Sequence, residues 1–205
     1  MADASAYHPV HRDDIGSKLG MWLFIFTELL FFSGLFIVYA VYRHANLKAF
    51  NLAAQQLNVT IGTMNTAILL LSSMTIAMAT TAMQKKAKRT TLILIGITLL
   101  LALAFLVNKY FEWGGKIRHG IYPGAPLLEE LGNGDTLFFG LYFFMTGLHA
   151  LHIIVGMVVL GFVFVFVWKE KITFDNFQLL ENGGLYWHMV DIIWIFLFPL
   201  FYLIT

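Results

Sequence analysis

Five long apolar stretches constrain this chain more than any other feature of its sequence. They cover residues 19–42, 61–83, 91–113, 137–168 and 186–204, and the short segments between them hold most of the charges. A helix needs about 20 apolar residues to cross the hydrocarbon core of a bilayer. Membrane β-barrels show short segments of alternating polarity, whereas these runs are continuous. The sequence therefore predicts an all-α membrane protein, a bundle of five transmembrane helices.

The composition excludes several other classes of protein. Of the 205 residues, 59% are hydrophobic and 12% are charged, whereas a soluble domain has about 25% charged residues. The formal net charge of +1 provides no basic field for a nucleic acid. Because there is no cysteine, iron–sulfur clusters and thiolate copper sites are excluded. We expect residues 1–18 to form a polar tail and residues 19–204 a single transmembrane domain.

Basic residues indicate how the helices are oriented. The segment after the second apolar stretch contains Lys85, Lys86, Lys88 and Arg89. Cytoplasmic loops of membrane proteins carry an excess of lysine and arginine. We therefore expect the N-terminus and this loop to lie in the cytoplasm, and the C-terminus to lie on the outer side.

Ionisable side chains inside apolar stretches are costly in lipid, so each suggests a partner or a function. Glu28 lies near the middle of the first stretch. Two interpretations stay open: a protonated carboxyl bonded to a neighbouring helix, or a proton-exchanging or partner-facing group. His149 and His152 are three residues apart and share one helix face. Interhelical hydrogen bonding is favoured over metal or haem ligation, because no Glu-x-x-His pattern accompanies them.

Two further pairs have the same spacing of three residues. His188 and Asp191 lie at the inner end of the fifth stretch. A local pair that fixes the helix end is favoured over a group for proton uptake. Lys109 and Glu112 lie at the outer end of the third stretch, where an interfacial ion pair is expected. The small and polar residues expected at helix-packing faces are Asn65, Thr66, Ser73, Gly147 and Gly156.

Three segments resemble subunit III of the haem–copper oxidases. Residues 147–156 (GLHALHIIVG) are similar to the sixth helix of that family, and residues 181–198, with the YWH…D motif, to its last helix. Residues 20–32, which include Glu28, are similar to its glutamate-bearing helix. The seven-helix form has two further N-terminal helices, so the chain resembles the five-helix bacterial type. Of the family's Glu-Tyr-Tyr motif, only Glu112 carries over.

The resemblance implies an accessory subunit of an oxidase that reduces oxygen and pumps protons. Such a subunit binds no haem, copper or other metal and has no catalytic site, because those groups belong to partner subunits. It packs against the catalytic subunit I, near subunit II and a small subunit IV. It also holds phospholipid, supports proton uptake and sustains turnover. The expected location is a bacterial inner membrane, where the complex could join a larger respiratory assembly.

A mechanistic hypothesis concerns the polar groups within the spans. If Glu28, His149, His152, His188 and Asp191 share the bundle interior, they form a buried polar network that fixes helix packing beside subunit I. A weaker form lets the inner His–Asp pair buffer protons near subunit I.

Alternative functions stay open at this stage. Within the family they are a quinol oxidase subunit III and an accessory subunit of a nitric oxide reductase. Outside it, a small membrane transporter would use Glu28 and the histidines as coupling residues, and would transport as a purified chain. A self-contained haem enzyme would show a haem band in its visible spectrum.

Overall fold

The computed structural model describes residues 14–126, 128, 132–174 and 176–204. Within these residues it contains six helices. They are α1 (Asp14–Ala45), α2 (Leu47–Ala54), α3 (Val59–Gln84), α4 (Lys88–Arg118), α5 (Asn133–Trp168) and α6 (Gln178–Tyr202). Five of them, all except α2, are long and apolar enough to cross a membrane. The prediction of an all-α protein with five membrane-spanning helices is therefore confirmed, although residues 1–13 of the predicted tail lie outside the described residues.

The helices extend beyond the apolar stretches that predicted them. Helix α1 begins at Asp14, inside the predicted tail, and α6 begins at Gln178. Helix α4 continues to Arg118, and α5 begins at Asn133. Apolar length measures the hydrocarbon core of the bilayer, but backbone hydrogen bonding continues into the polar interface.

Helix α2 occupies a segment that the sequence analysis treated as a linker. Its eight residues bury Phe50, Ala53 and Ala54. The Phe50 ring packs edge-on against Tyr39 of α1 at 5.5 Å and against Phe138 of α5 at 5.4 Å. Eight residues are too few to show a helical period clearly, so their burial depends on contacts that sequence inspection does not reveal.

The four helices α3 to α6 form a closed ring. Helix α3 packs against α4 and α6, and α5 packs against the same two helices. Helix α1 lies outside this ring, mainly against α6 and less against α5. In its most apolar stretch 11% of the residues are buried, compared with 56% in α6. Helix α6 is therefore the centre of the fold, and α1 is its most exposed spanning helix.

Two glycines allow close packing around α6. A Cβ atom at Gly156 of α5 would lie 2.9 Å from the Trp187 ring. A Cβ at Gly62 of α3 would lie 2.7 Å from the Phe198 ring and 2.9 Å from that of Tyr202. These distances are shorter than van der Waals contact, so the large rings can be buried here only because the side chain opposite is absent. Gly147 is less crowded, with the Trp113 ring at 3.9 Å.

Helices α3 and α5 end in the same way, on the side predicted to face the cytoplasm. Lys86 and Glu170 both adopt a left-handed backbone with φ of 59°. The next amide in each case closes the helix, as when Ala87 N–H donates to the Ala82 carbonyl at 2.9 Å. Lys88 Nζ joins the two ends by donating to Glu170 Oε1 at 2.8 Å. This ammonium lowers the pKa of the exposed Glu170 carboxyl.

Candidate functional site

Glu28 and His152, two ionisable residues within the spans, form a pair that joins α1 to α5. His152 Nε2 lies 3.1 Å from Glu28 Oε2. His152 Nδ1 lies 2.7 Å from the Leu148 carbonyl oxygen, which can only accept a hydrogen bond, so we assign a proton to Nδ1. Nε2 and the carboxyl then share one further proton, carried by either partner. The structure thus gives Glu28 a neighbouring-helix partner, and Phe32 packs edge-on against His152 at 5.3 Å.

The second group is a buried cluster around Lys109 and Glu112. Lys109 Nζ donates to Glu112 Oε2 at 3.0 Å and to the Tyr202 hydroxyl at 2.7 Å, and contacts the Tyr142 hydroxyl at 3.3 Å. Glu112 Oε1 accepts from Tyr202 at 2.6 Å and from Tyr142 at 2.9 Å. The ammonium also lies 4.8 Å from the centre of the Trp194 ring, within the range of a cation–π contact.

The expected ion pair between Lys109 and Glu112 forms, with Nζ 3.0 Å from Oε2. It is enclosed by other side chains, since Lys109 is 2% exposed and Glu112 is 8% exposed. Tyr142 of α5 and Tyr202 of α6 cover the pair and supply hydroxyl groups. Sequence reasoning missed both tyrosines. A tyrosine in an otherwise apolar stretch needs a polar partner when it is buried, but the sequence does not show which residue that partner is.

His149 has a different environment from His152. It is fully buried, and neither ring nitrogen has a hydrogen-bond partner among the described residues. Its ring packs against Phe105 at 5.7 Å and Trp194 at 5.2 Å. Interhelical hydrogen bonding was expected for both histidines, and only His152 shows it here. The spacing of three residues placed them near each other but did not determine which helix each one meets.

His188 and Asp191 do not form the local pair that their spacing suggested. His188 Nδ1 instead lies 2.7 Å from the Ser73 hydroxyl of α3. Asp191 is 3% exposed and lies near Ser73. Neither of its carboxylate oxygens reaches hydrogen-bonding geometry with a described residue. Because α3 offers His188 a hydroxyl across the helix interface, the interhelical contact replaces the local one.

Polar side chains along α3 are partners for groups on the neighbouring helices. Thr66 accepts from Trp194 Nε1–H at 3.0 Å, and Ser72 accepts from Trp187 Nε1–H at 3.0 Å. Asn65 accepts from Asn108 of α4, also at 3.0 Å. A buried indole N–H needs an acceptor, so this stripe is what allows two tryptophans to lie in the centre of the fold.

The ionisable groups therefore do not form one continuous network. Glu28 with His152, and Lys109 with Glu112, are separate bonded groups, while His149 and Asp191 are buried singly. Within the described part of the chain, no group of three or more histidine, aspartate or glutamate side chains is close enough to hold a metal ion. Fold and polar groups together define a multi-pass helical membrane protein in which Glu28, Lys109 and Glu112, ionisable residues of the spans, bond to side chains of neighbouring helices.

Comparison with known proteins identifies the family. The model of the family "Cytochrome c oxidase subunit III" matches residues 2–205. The chain therefore belongs to the subunit III family of the haem–copper oxidases, as its motifs predicted.

Relatives in this family carry several different names. Cytochrome bo(3) ubiquinol oxidase subunit 3 from Pseudomonas aeruginosa is 28% identical over 94% of this chain and 88% of its own length. Cytochrome c oxidase subunit 3 from Yarrowia lipolytica is 29% identical over 91% of this chain and 67% of its own. Heme-copper oxidase subunit I+III from Aeropyrum pernix is 30% identical over 96% of this chain and 23% of its own.

Proposed function

We propose that this chain is the accessory subunit III of a haem–copper terminal oxidase and binds directly to the catalytic subunit I. The observation that carries the proposal is the Aeropyrum pernix relative, whose name joins subunits I and III in one chain. Two subunits that can be fused in one protein must assemble at close range. Haem and copper would lie in the partner subunits, and the described residues of this chain would supply packing surface and proton-binding groups.

A cleft between α1, α3 and α6 supports a role in holding phospholipid. Its volume is about 410 Å³, and its lining includes Lys18, Trp22, Glu181 and His188. Lys18 and Glu181 form an ion pair at 2.9 Å, so both signs of charge are available to a zwitterionic headgroup. Trp22 belongs to the residue type enriched at membrane interfaces. A phospholipid headgroup seated here would place its acyl chains along α1.

A contribution to proton uptake is proposed for Asp191 and His188, which lie in the middle part of α6. Asp191 is buried, with two carboxylate oxygens that no described residue hydrogen-bonds. His188 lies one turn nearer the helix end and beside the cleft. A buried carboxyl without a hydrogen-bond donor is costly, unless an internal water or a bound proton satisfies its oxygens. This pair would hold protons close to subunit I, in the inner membrane of a bacterium.

The proposal leaves two electron donors open, a quinol and cytochrome c. The relatives include subunits named for ubiquinol oxidase and for cytochrome c oxidase. An accessory role in a nitric oxide reductase is the remaining alternative within this class. Because the donor binds other subunits, a copper-binding domain in the neighbouring subunit II would favour cytochrome c, and a subunit II without one would favour quinol.

Affinity purification of the membrane complex tests the proposal. The chain is tagged at one end in its own organism, and the membranes are solubilised in a mild detergent. We expect subunit I, with its haem absorption, to co-purify with the chain in a constant ratio. Removal of the chain should leave the initial rate of oxygen reduction unchanged but reduce the number of turnovers before inactivation. Recovery of the tagged chain without subunit I would overturn the proposal.

A further inference from the structure

The pair formed by Glu28 and His152 has an unusual position for ionisable groups. Glu28 lies near the middle of the 32-residue α1, and His152 near the middle of the 36-residue α5. Their side chains are nevertheless 22% and 16% exposed at the surface of the chain. Lys109 and Asp191, by contrast, are buried inside the bundle. Surface at this depth meets either lipid tails or another protein.

The carboxyl of Glu28 is also incompletely bonded. Its Oε2 contacts His152, but no described residue forms a hydrogen bond with its Oε1. Lipid tails offer neither donors nor acceptors in the hydrocarbon core, so a polar atom that faces them is left unsatisfied. A protein partner with a hydrogen-bonding side chain removes this penalty.

The surroundings of the pair fit a helical partner. Phe31, Leu151 and Val155 lie beside it on α1 and α5 and are 48%, 53% and 45% exposed. Helix α1, which carries Glu28, is also the spanning helix with the least burial inside the chain. Because lipid provides no hydrophobic driving force between membrane helices, polar side chains that hydrogen-bond across an interface help to hold such helices together.

We infer that the face formed by Glu28, Phe31, Leu151, His152 and Val155, here called the α1–α5 face, is the surface that binds subunit I. A hydrogen-bonding side chain of subunit I contacts Glu28 Oε1 at this face. The inference rests on the proposed function, because it assumes that subunit I is the partner. It adds which surface of the chain is covered and which polar atom makes that contact specific.

Site-specific photo-crosslinking in the native membrane tests the face directly. A benzophenone amino acid replaces Leu151 on the α1–α5 face, or Phe31 beside Glu28. The matched control is Leu103 on α4, which is 49% exposed and also lies mid-span but on a helix that does not pack against α1. We expect a covalent product with subunit I from positions 31 and 151, and lipid adducts from position 103.

The cross-linking results test the α1–α5 face, and co-purification tests the proposed function independently. Cross-linking to subunit I from position 103 but not from 31 or 151, or lipid adducts at all three positions, would overturn the α1–α5 face while co-purification upheld the function. Loss of co-purification in the unmodified complex would instead overturn the proposed function.

Substitutions of Glu28 provide a second measurement. Glu28→Gln keeps hydrogen-bonding atoms at the face, whereas Glu28→Leu removes them. We expect the Gln variant to stay bound to subunit I through detergent washing and the Leu variant to be lost. Helix content of each isolated chain controls for folding. Equal retention of two folded variants would overturn the role assigned to Glu28 Oε1.

Discussion

The Tyr202 hydroxyl donates a 2.6 Å hydrogen bond to Glu112 Oε1, although 90 positions separate the two residues. The same hydroxyl contacts Lys109 Nζ at 2.7 Å. Helix α6 is thus bonded at its C-terminal end to an ion pair of α4. This relationship connects two helices on opposite sides of the ring through the Lys109–Glu112 cluster.

Removal of the Tyr202 hydroxyl should destabilise the protein. In Tyr202→Phe, Glu112 loses a donor and Lys109 loses an acceptor in a buried site, which we expect to lower the free energy of unfolding by about 1–3 kcal/mol. Thermal unfolding of the purified complex, followed at this chain, measures the effect. Tyr110, which is 74% exposed, is the matched control, and Tyr110→Phe should change stability by less than about 0.5 kcal/mol. Equal effects of the two changes would contradict the prediction.

Removal of one charge from the buried Lys109–Glu112 pair should lower the stability of the protein more than removal of both. Lys109→Met leaves the Glu112 carboxylate buried and uncompensated, with an expected loss of about 3–5 kcal/mol. The double variant with Glu112→Gln removes both charges and should recover part of that loss. A double-mutant cycle on thermal stability gives the coupling between the two residues. Additive effects would mean that the 3.0 Å contact contributes nothing specific.

A methyl group at Gly156 should disturb the packing of α5 on α6. In Gly156→Ala the new Cβ would lie 2.9 Å from the Trp187 ring, so either the ring or the helix must move, with an expected cost of about 1–3 kcal/mol. The control is Gly161 of the same helix, where a Cβ meets no atom within 4 Å. Gly161→Ala should leave stability unchanged or raise it slightly, because alanine favours helix. A loss of stability at both positions would indicate a helix-wide effect instead.

Asp191, proposed to support proton uptake, and Glu28, which the sequence suggests as a proton-exchanging group, should affect the working lifetime of the oxidase. The double variant Asp191→Asn with Glu28→Gln retains hydrogen-bonding capacity but cannot exchange protons at either carboxyl. We expect fewer turnovers before inactivation and slower steady-state proton uptake, with the initial oxygen-reduction rate retained. Both are measured on the fully assembled complex, and each single variant separates the two positions. Unchanged uptake and lifetime would confine these residues to helix packing.

Sequence reasoning predicted the spanning helices well and the polar partners poorly. Apolar length is a property of consecutive residues, so the five spans could be read without knowledge of their neighbours. Partners depend on which helices meet, and spacing within one helix does not contain that information. His188 therefore bonds Ser73 of α3 rather than Asp191 one turn away. Helix α2 was missed for the same reason, since Phe50 is buried by α1 and α5.

The sequence alone determined the class of the protein: a membrane-spanning helical bundle of the oxidase subunit III family. Bilayer thickness sets the apolar length that a spanning helix needs, and the family motifs lie within single helices. Only the tertiary structure decided which ionisable groups are satisfied. It buried Lys109 with Glu112 under two tyrosines and isolated His149 among aromatic rings. It left Glu28 partly exposed at mid-span, because hydrogen bonds between helices depend on distances across the bundle that local sequence does not encode.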